Sequence, residues 1–168
     1  MDLPPARGNL ANSKSMTALF TLLPEAVATV ALDSKPAILE AVAARFAEVY
    51  HLDANAVLER MAEREALGST GFGRGVAIPH ARIADLNRPV ATFLRLEAPV
   101  AFDAADAMPV DLVFGLLSPD HAGAVHLHAL AAISRMMRND SMHAALSHAP
   151  SDEALYGLLS NVIDRDAA

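Results

Sequence analysis

Residues 110–117, Val-Asp-Leu-Val-Phe-Gly-Leu-Leu, limit the possible folds of this chain more than any other segment. Past Asp111, both alternating sets of positions are apolar or glycine: Leu112, Phe114 and Leu116 on one side, Val113, Gly115 and Leu117 on the other. A strand with two apolar faces has none to offer water, so it must run through the middle of a sheet covered on both sides. The flanking sequence has to provide that cover, and its periodicities show that it does.

Ala26–Leu32 reads as a short strand, followed by Asp33-Ser34 as an N-cap and Pro36 in a first turn, where a missing N–H costs nothing. The helix expected from there to Tyr50 places Ile38, Val42, Ala43, Phe46 and Val49 on one apolar stripe. Asp53 opens a second helix to Ala66, with Leu52 and Val57 placed as a hydrophobic staple across the cap. Further strands are expected at Val76–Ile78 and Val90–Glu97, with Pro99 and Phe102-Asp103-Ala104 marking the connection to the central strand. Ser118-Pro119-Asp120 has the composition of a cap for a helix over 121–137, Asp140 starts a short helix to Ser147, and Ser151-Asp152-Glu153 opens a last one to Ile163. Strands interleaved with helices predict an α/β fold: one domain, a mixed parallel and antiparallel sheet with helices on both sides. Residues 1–15 mix prolines, glycine and polar residues without periodicity and read as a flexible extension, leaving 16–168 as the domain.

Composition narrows the function classes. The 168 residues, 53% hydrophobic, suffice for one core. A net charge of −7 argues against broad electrostatic binding to nucleic acid or an anionic membrane. The acidity is uneven: residues 101–168 carry three basic and nine acidic side chains, whereas 51–100 carry six of each, the six all arginine, so an anion can be received there. With no cysteine there is no disulfide, thiol nucleophile or thiolate metal site, which suits a reducing cytoplasm. No apolar run approaches the roughly 20 residues of a membrane span, and no signal core follows the N-terminus.

The stretch Gly68–His80, GSTGFGRGVAIPH, invites a phosphate-loop reading that its details refuse. A nucleotide P-loop needs Lys-Ser or Lys-Thr after its last glycine, and a dinucleotide fingerprint needs glycine where Val76 stands. The glycines equally well provide turns with φ > 0. His80 follows Pro79 at the end of an apolar strand, which holds its ring in a defined place. With an unperturbed pKa of roughly 6.5 such a ring is a nucleophile or proton carrier; the plainer alternative is a surface histidine after a turn. His126 and His128, two apart on the 121–137 helix, do not share a face and are not a helical zinc pair; His121 and His128 lack a third ligand. His51, His143 and His148 fall at helix ends or turns and read as surface. Arg64, near the end of its helix, either offsets the helix dipole or places a fork of donors beside an oxyanion.

Arg64-Glu65-Ala66-Leu67-Gly68-Ser69-Thr70-Gly71 through Ala77-Ile78-Pro79-His80 resembles the phosphohistidine motif of the fructose and mannitol class of enzyme IIA domains of the bacterial sugar phosphotransferase system, and most of all its free-standing nitrogen-related members. The likeness extends in order through Pro99–Asp103, Pro109–Phe114, His126–Leu130 and Ser151–Tyr156. It implies that His80 is phosphorylated by an HPr-like phosphocarrier, that Arg64 and His126 complete the site, and that no metal, nucleotide or other cofactor is needed. Ser69, Thr70, Gly71, Gly73 and Gly75 are then candidates for cradling the phosphoryl group with backbone N–H donors. Ala81 stands where many members have glycine, and Arg74 where a small or polar residue is common. The expected role is a cytoplasmic phosphocarrier with a regulatory output toward target proteins. The rivals are a sugar-specific component passing phosphate to a separate IIB permease subunit and a pure binding module switched by phosphorylation.

Overall fold

The computed structural model describes residues 19–167, so the extension expected over 1–15 lies outside the described residues. A 3₁₀ turn (Pro24–Ala26) leads into β1 (Val27–Val30). Helices α1 (Lys35–Tyr50) and α2 (Ala54–Ala66) follow, and their caps are those the sequence calls for: Ser34 Oγ accepts from Ala37 N and Asp53 Oδ1 from Ala56 N. Three short strands come next, β2 (Gly71–Gly73), β3 (Val76–Ala77) and β4 (His80–Ile83). The long β5 (Val90–Val100) and β6 (Val110–Pro119) precede α3 (Gly123–Met137), α4 (Asp140–His148) and α5 (Asp152–Ala167).

The sheet runs β1-β5-β6-β3-β2, with β4 also paired to β6. β1 is parallel to β5, β5 antiparallel to β6, and β3 and β4 are both parallel to β6, so the sheet is mixed as expected. The central strand is β6, and its two faces separate two cores. Val113 and Leu117 join Ile38, Val42, Phe46, Val57 and Met61 of α1 and α2; Leu112, Phe114 and Leu116 join Ala129, Ile133, Leu146 and Leu155 of α3 to α5. Each such large side chain, fully buried, contributes ~1.5–3 kcal/mol. Gly115 is required for the first core: a Cβ there would lie 2.6 Å from Thr92 Oγ1 and 2.8 Å from Val42 Cγ1, so its absence lets α1 settle on the sheet.

Three local expectations are corrected. The glycine-rich segment is not all loop, because Gly71–Gly73 pair with Val76–Ala77 as a small antiparallel ribbon. His80 does not end a strand; it opens β4. β3 and β4 are two pieces of one interrupted strand along β6, broken at Ile78-Pro79, where Ile78 N turns to donate to Thr70 O while Pro79 O still accepts from Leu116 N. Pro79 has no N–H for the ladder, and at the break between β3 and β4 that loss is tolerated. Ser118-Pro119-Asp120 does not cap a helix either: Ser118 and Pro119 pair with Arg82 and Ile83, and α3 begins only at Gly123 after Ala122, which offers no capping side chain.

Candidate functional site

The break between β3 and β4 decides where His80 stands. Along a strand, residues two apart share a face, so His80 and Arg82 of β4 face the same way as their register partners Leu116 and Ser118 of β6. This is the face covered by α3, and its first turn lowers His126 onto it. The two histidine rings lie with centroids 5.6 Å apart, tilted by 49°. An open cavity of about 430 Å³ joins them, lined also by Arg60, Arg64, Arg82 and the apolar Leu67 and Leu127. Arg64, at the C-terminal end of α2, donates from Nη1 to Gly68 O at 2.9 Å. Residues 64, 80 and 126, from three separate elements, thus line one cavity.

Hydrogen bonding assigns the ring nitrogens of His80. Nδ1 lies 2.7 Å from Ile78 O. A carbonyl only accepts, so Nδ1 carries the proton and Nε2 keeps a lone pair. Burial pushes the pKa of His80 below its ordinary value, reinforced by the Arg64 charge and opposed by the Ile78 carbonyl and Glu65. His126 is pushed down to about 4, by burial first and then by the charges of His80 and Arg82. Both rings are therefore neutral at pH 7. His126 Nδ1 is 2.6 Å from Ser118 Oγ.

None of the residues Ser69–Gly75 is among those that line this cavity. Their polar groups are engaged internally. Thr70 donates from N and Oγ1 to the two carboxylate oxygens of Glu65 at 2.8 and 2.6 Å, and Ser69 Oγ donates to Phe102 O while accepting from Gly71 N. Gly71 packs so closely that a Cβ would fall 2.9 Å from that of Ala104. Gly73 and Gly75 turn the ribbon with φ of 109° and 79° on either side of Arg74, itself at 59°. Arg74 reaches away from the cavity, donating to Arg138 O and Asp140 Oδ1 at 2.9 and 3.2 Å. The loop braces the end of α2 instead, and its anchor, Glu65, is a buried carboxylate paired with Lys35 Nζ at 3.0 Å.

The remaining histidines separate. His128 and His121 are exposed, and among the described residues no three histidine or acidic side chains cluster as a metal site. His51 is the left-handed residue ending α1. His143 is not simply a surface residue: its Nε2 faces Asp111 Oδ1 at 3.4 Å, on the far side of the ribbon turn. Sequence reasoning missed Ser118 and Glu65. A serine directly after the apolar run of the central strand, two residues past Leu116 and so on its face, was the available signal for the first; the second has none outside the fold.

A neutral imidazole with a lone-pair nitrogen, in a cavity shared with a second imidazole and an arginine, sits here on a mixed sheet between two helical layers. The chain belongs to the EIIA 2 family of the phosphoenolpyruvate-dependent sugar phosphotransferase system, which matches residues 22–162. Within it, the nitrogen regulatory protein of Pseudomonas aeruginosa is 44% identical over 130 residues, covering 77% of this chain and 84% of that one. That of Bradyrhizobium diazoefficiens is 41% identical over 138 residues, 82% and 90% of the two chains. The crystal structure of the nitrogen regulatory protein IIA-Ntr from Neisseria meningitidis superposes with a TM-score of 0.77 at 34% identity, covering 82% of this chain and 95% of that one. No helix among the described residues is long and apolar enough to cross a membrane.

Proposed function

We propose that this protein is a phosphohistidine carrier with a nitrogen-regulatory output, and that His80 takes the phosphoryl group from phosphohistidine on an HPr-like protein. The observation that carries the reading is the bond from His80 Nδ1 to Ile78 O, which leaves Nε2 as a lone-pair nitrogen in the cavity. The nitrogen-regulatory names of its relatives favour regulation as the output, with regulatory target proteins in the cytoplasm as the partners downstream.

In the transfer, Nε2 attacks phosphorus in line with the donor's N–P bond. That bond breaks as the new one forms, and the donor ring, protonated on its other nitrogen, leaves as neutral imidazole. The His80 ring becomes positive as it acquires the group. The Ile78 carbonyl, already at 2.7 Å, then accepts from a charged donor, a stronger bond than in the resting state, so it favours the transition state over the ground state. Arg64 and His126 donate to the phosphoryl oxygens, where the positioning and electrostatics of phosphoryl transfer reside. The mouth of the cavity is apolar, with Leu67 and Leu127 85% and 61% exposed, and a docked partner covering them excludes the water that would hydrolyse the intermediate.

Incubation with phosphoenolpyruvate, the first enzyme of the relay and its HPr-like carrier is expected to add one acid-labile phosphate, which the His80→Ala protein does not acquire. Equal labelling of the His80→Ala protein would overturn the assignment.

A further inference from the structure

We infer that Ser118 is a positioning residue for the phosphoryl site: its buried hydroxyl donates to His126 Nδ1 and so fixes the tautomer in which His126 presents its Nε2 proton to the cavity. This rests on the reading of His80 as the phosphoryl acceptor and adds to it the device that makes the second imidazole a donor.

A neutral imidazole has one N–H and one lone pair, so His126 aids phosphoryl oxygens in one tautomer and repels them in the other. Something must choose between the two. Ser118 is fully buried, in strand β6, and its Oγ lies 2.6 Å from His126 Nδ1. Its hydroxyl does not serve the start of α3, whose N-cap is Ala122 without a side-chain bond. A serine carries a single O–H proton, and among the described residues Nδ1 is the one acceptor bonded to this oxygen. Were the hydroxyl to accept from Nδ1–H instead, its own proton would be buried without a partner, at a cost of ~1–3 kcal/mol. Donation by Ser118 is thus favoured, which leaves the ring proton on Nε2. The downward shift of His126 to about 4 keeps the doubly protonated ring out of the picture at neutral pH, so a tautomer choice is available to be made.

The geometry suits this role. Ser118 pairs in register with Arg82, two residues along β4 from His80, and shares the sheet face on which His80 stands. The titratable groups that bear on the His126 ring are His80, neutral at pH 7, and Arg82; Arg64 and Glu63 line the same cavity. Glu63, the carboxylate that lines the cavity, is paired with Arg60 at 3.7 Å, and the hydrogen bond at His126 Nδ1 goes to Ser118.

The test is ¹⁵N NMR of the ring nitrogens of the unphosphorylated protein at pH 7, with the transfer rate from the phosphorylated HPr-like carrier measured alongside. In the wild type, His126 is expected to show an unprotonated Nδ1 and a protonated Nε2. Ser118→Ala should relax this into a tautomer mixture and slow transfer to His80 by roughly tenfold at unchanged KM for the carrier, and Ser118→Thr should restore both. A protonated Nδ1 in the wild type, or a Ser118→Ala protein with unaltered nitrogen shifts and rate, would overturn the inference. A wild type that accepts no phosphate on His80 would instead overturn the functional reading, and the nitrogen shifts would still decide the tautomer.

Discussion

Two clusters of polar side chains flank the end of α2, one on each side of the glycine-rich segment, and they use their donors and acceptors in opposite ways. In the first, Glu65 Oε1 accepts from Thr70 N and pairs with Lys35 Nζ, while Oε2 accepts from Thr70 Oγ1. Lys35 in turn lies 4.7 Å from the centre of the Phe102 ring and 3.7 Å from Asp103 Oδ2. Both oxygens of the buried carboxylate are satisfied, the condition under which a buried charge is tolerated. In the second, His80 keeps a lone pair on Nε2, and Arg64 gives one N–H to Gly68 O and no other side-chain hydrogen bond among the described residues. A saturated cluster holds the backbone; an unsaturated one keeps donors and acceptors with which a ligand can be bound. The two are adjacent in sequence at Arg64-Glu65, so one helical turn end supplies the reactive cluster with a cation and the structural cluster with its anchor.

Disrupting the saturated cluster should have the larger thermodynamic effect. Glu65→Ala leaves Lys35 and the Thr70 N–H without their partner and is expected to cost about 3 kcal/mol, as for other broken buried pairs. Asp103→Ala, at the exposed end of the same cluster, should cost less than ~0.5 kcal/mol. Urea denaturation of both variants checks the contrast, and equal losses would erase the distinction between anchored and peripheral members.

In the unsaturated cluster a substitution should alter chemistry more than stability. Arg64→Gln removes a charged donor from the phosphoryl oxygens and is expected to slow transfer on the order of 100-fold, with a denaturation midpoint close to wild type. Single-turnover transfer from the phosphorylated carrier provides the rate. A large loss of stability with an unaltered rate would place Arg64 in the structural cluster instead.

A smaller effect separates the clusters by pH. The folded state holds His126 neutral down to about 4, whereas the unfolded chain protonates histidine near 6.5. Between these values the unfolded state binds more protons, so this contribution to stability is full above about pH 6.5 and declines as pH falls toward 4. Phosphorylation of His80 places a dianion beside the ring, favours its charged form and should flatten the decline. Denaturation at stepped pH, with His126→Gln as the reference lacking this contribution, measures it.

Those features that depend on neighbours in the chain were legible beforehand. The caps at Ser34 and Asp53, the apolar stripe of α1 and the two-faced strand at the centre are set by residues within a turn or a strand of one another. The errors share a cause, because at Pro79 and at Ser118-Pro119 turn-forming residues sit inside a sheet ladder held by a distant strand. Pairing of Arg82 with Ser118 and Ile83 with Pro119 outweighs the local preference for a cap. The presence of Arg64 and His126 near His80 followed only from resemblance, since their spacings of 16 and 46 residues carry no periodicity. The Glu65 anchor and the Ser118 contact arise where helices meet the sheet, which no stretch of sequence displays.

The central claim is that the Ile78 carbonyl, by holding the proton on Nδ1, makes Nε2 of His80 the reactive atom. Phosphorylating ¹⁵N-labelled protein and recording the nitrogen–phosphorus coupling of its histidine ring tests this at the level of the atom. The expected result is a single coupled nitrogen, Nε2 of His80. Coupling to Nδ1 of His80, or to a nitrogen of any other histidine, would contradict it.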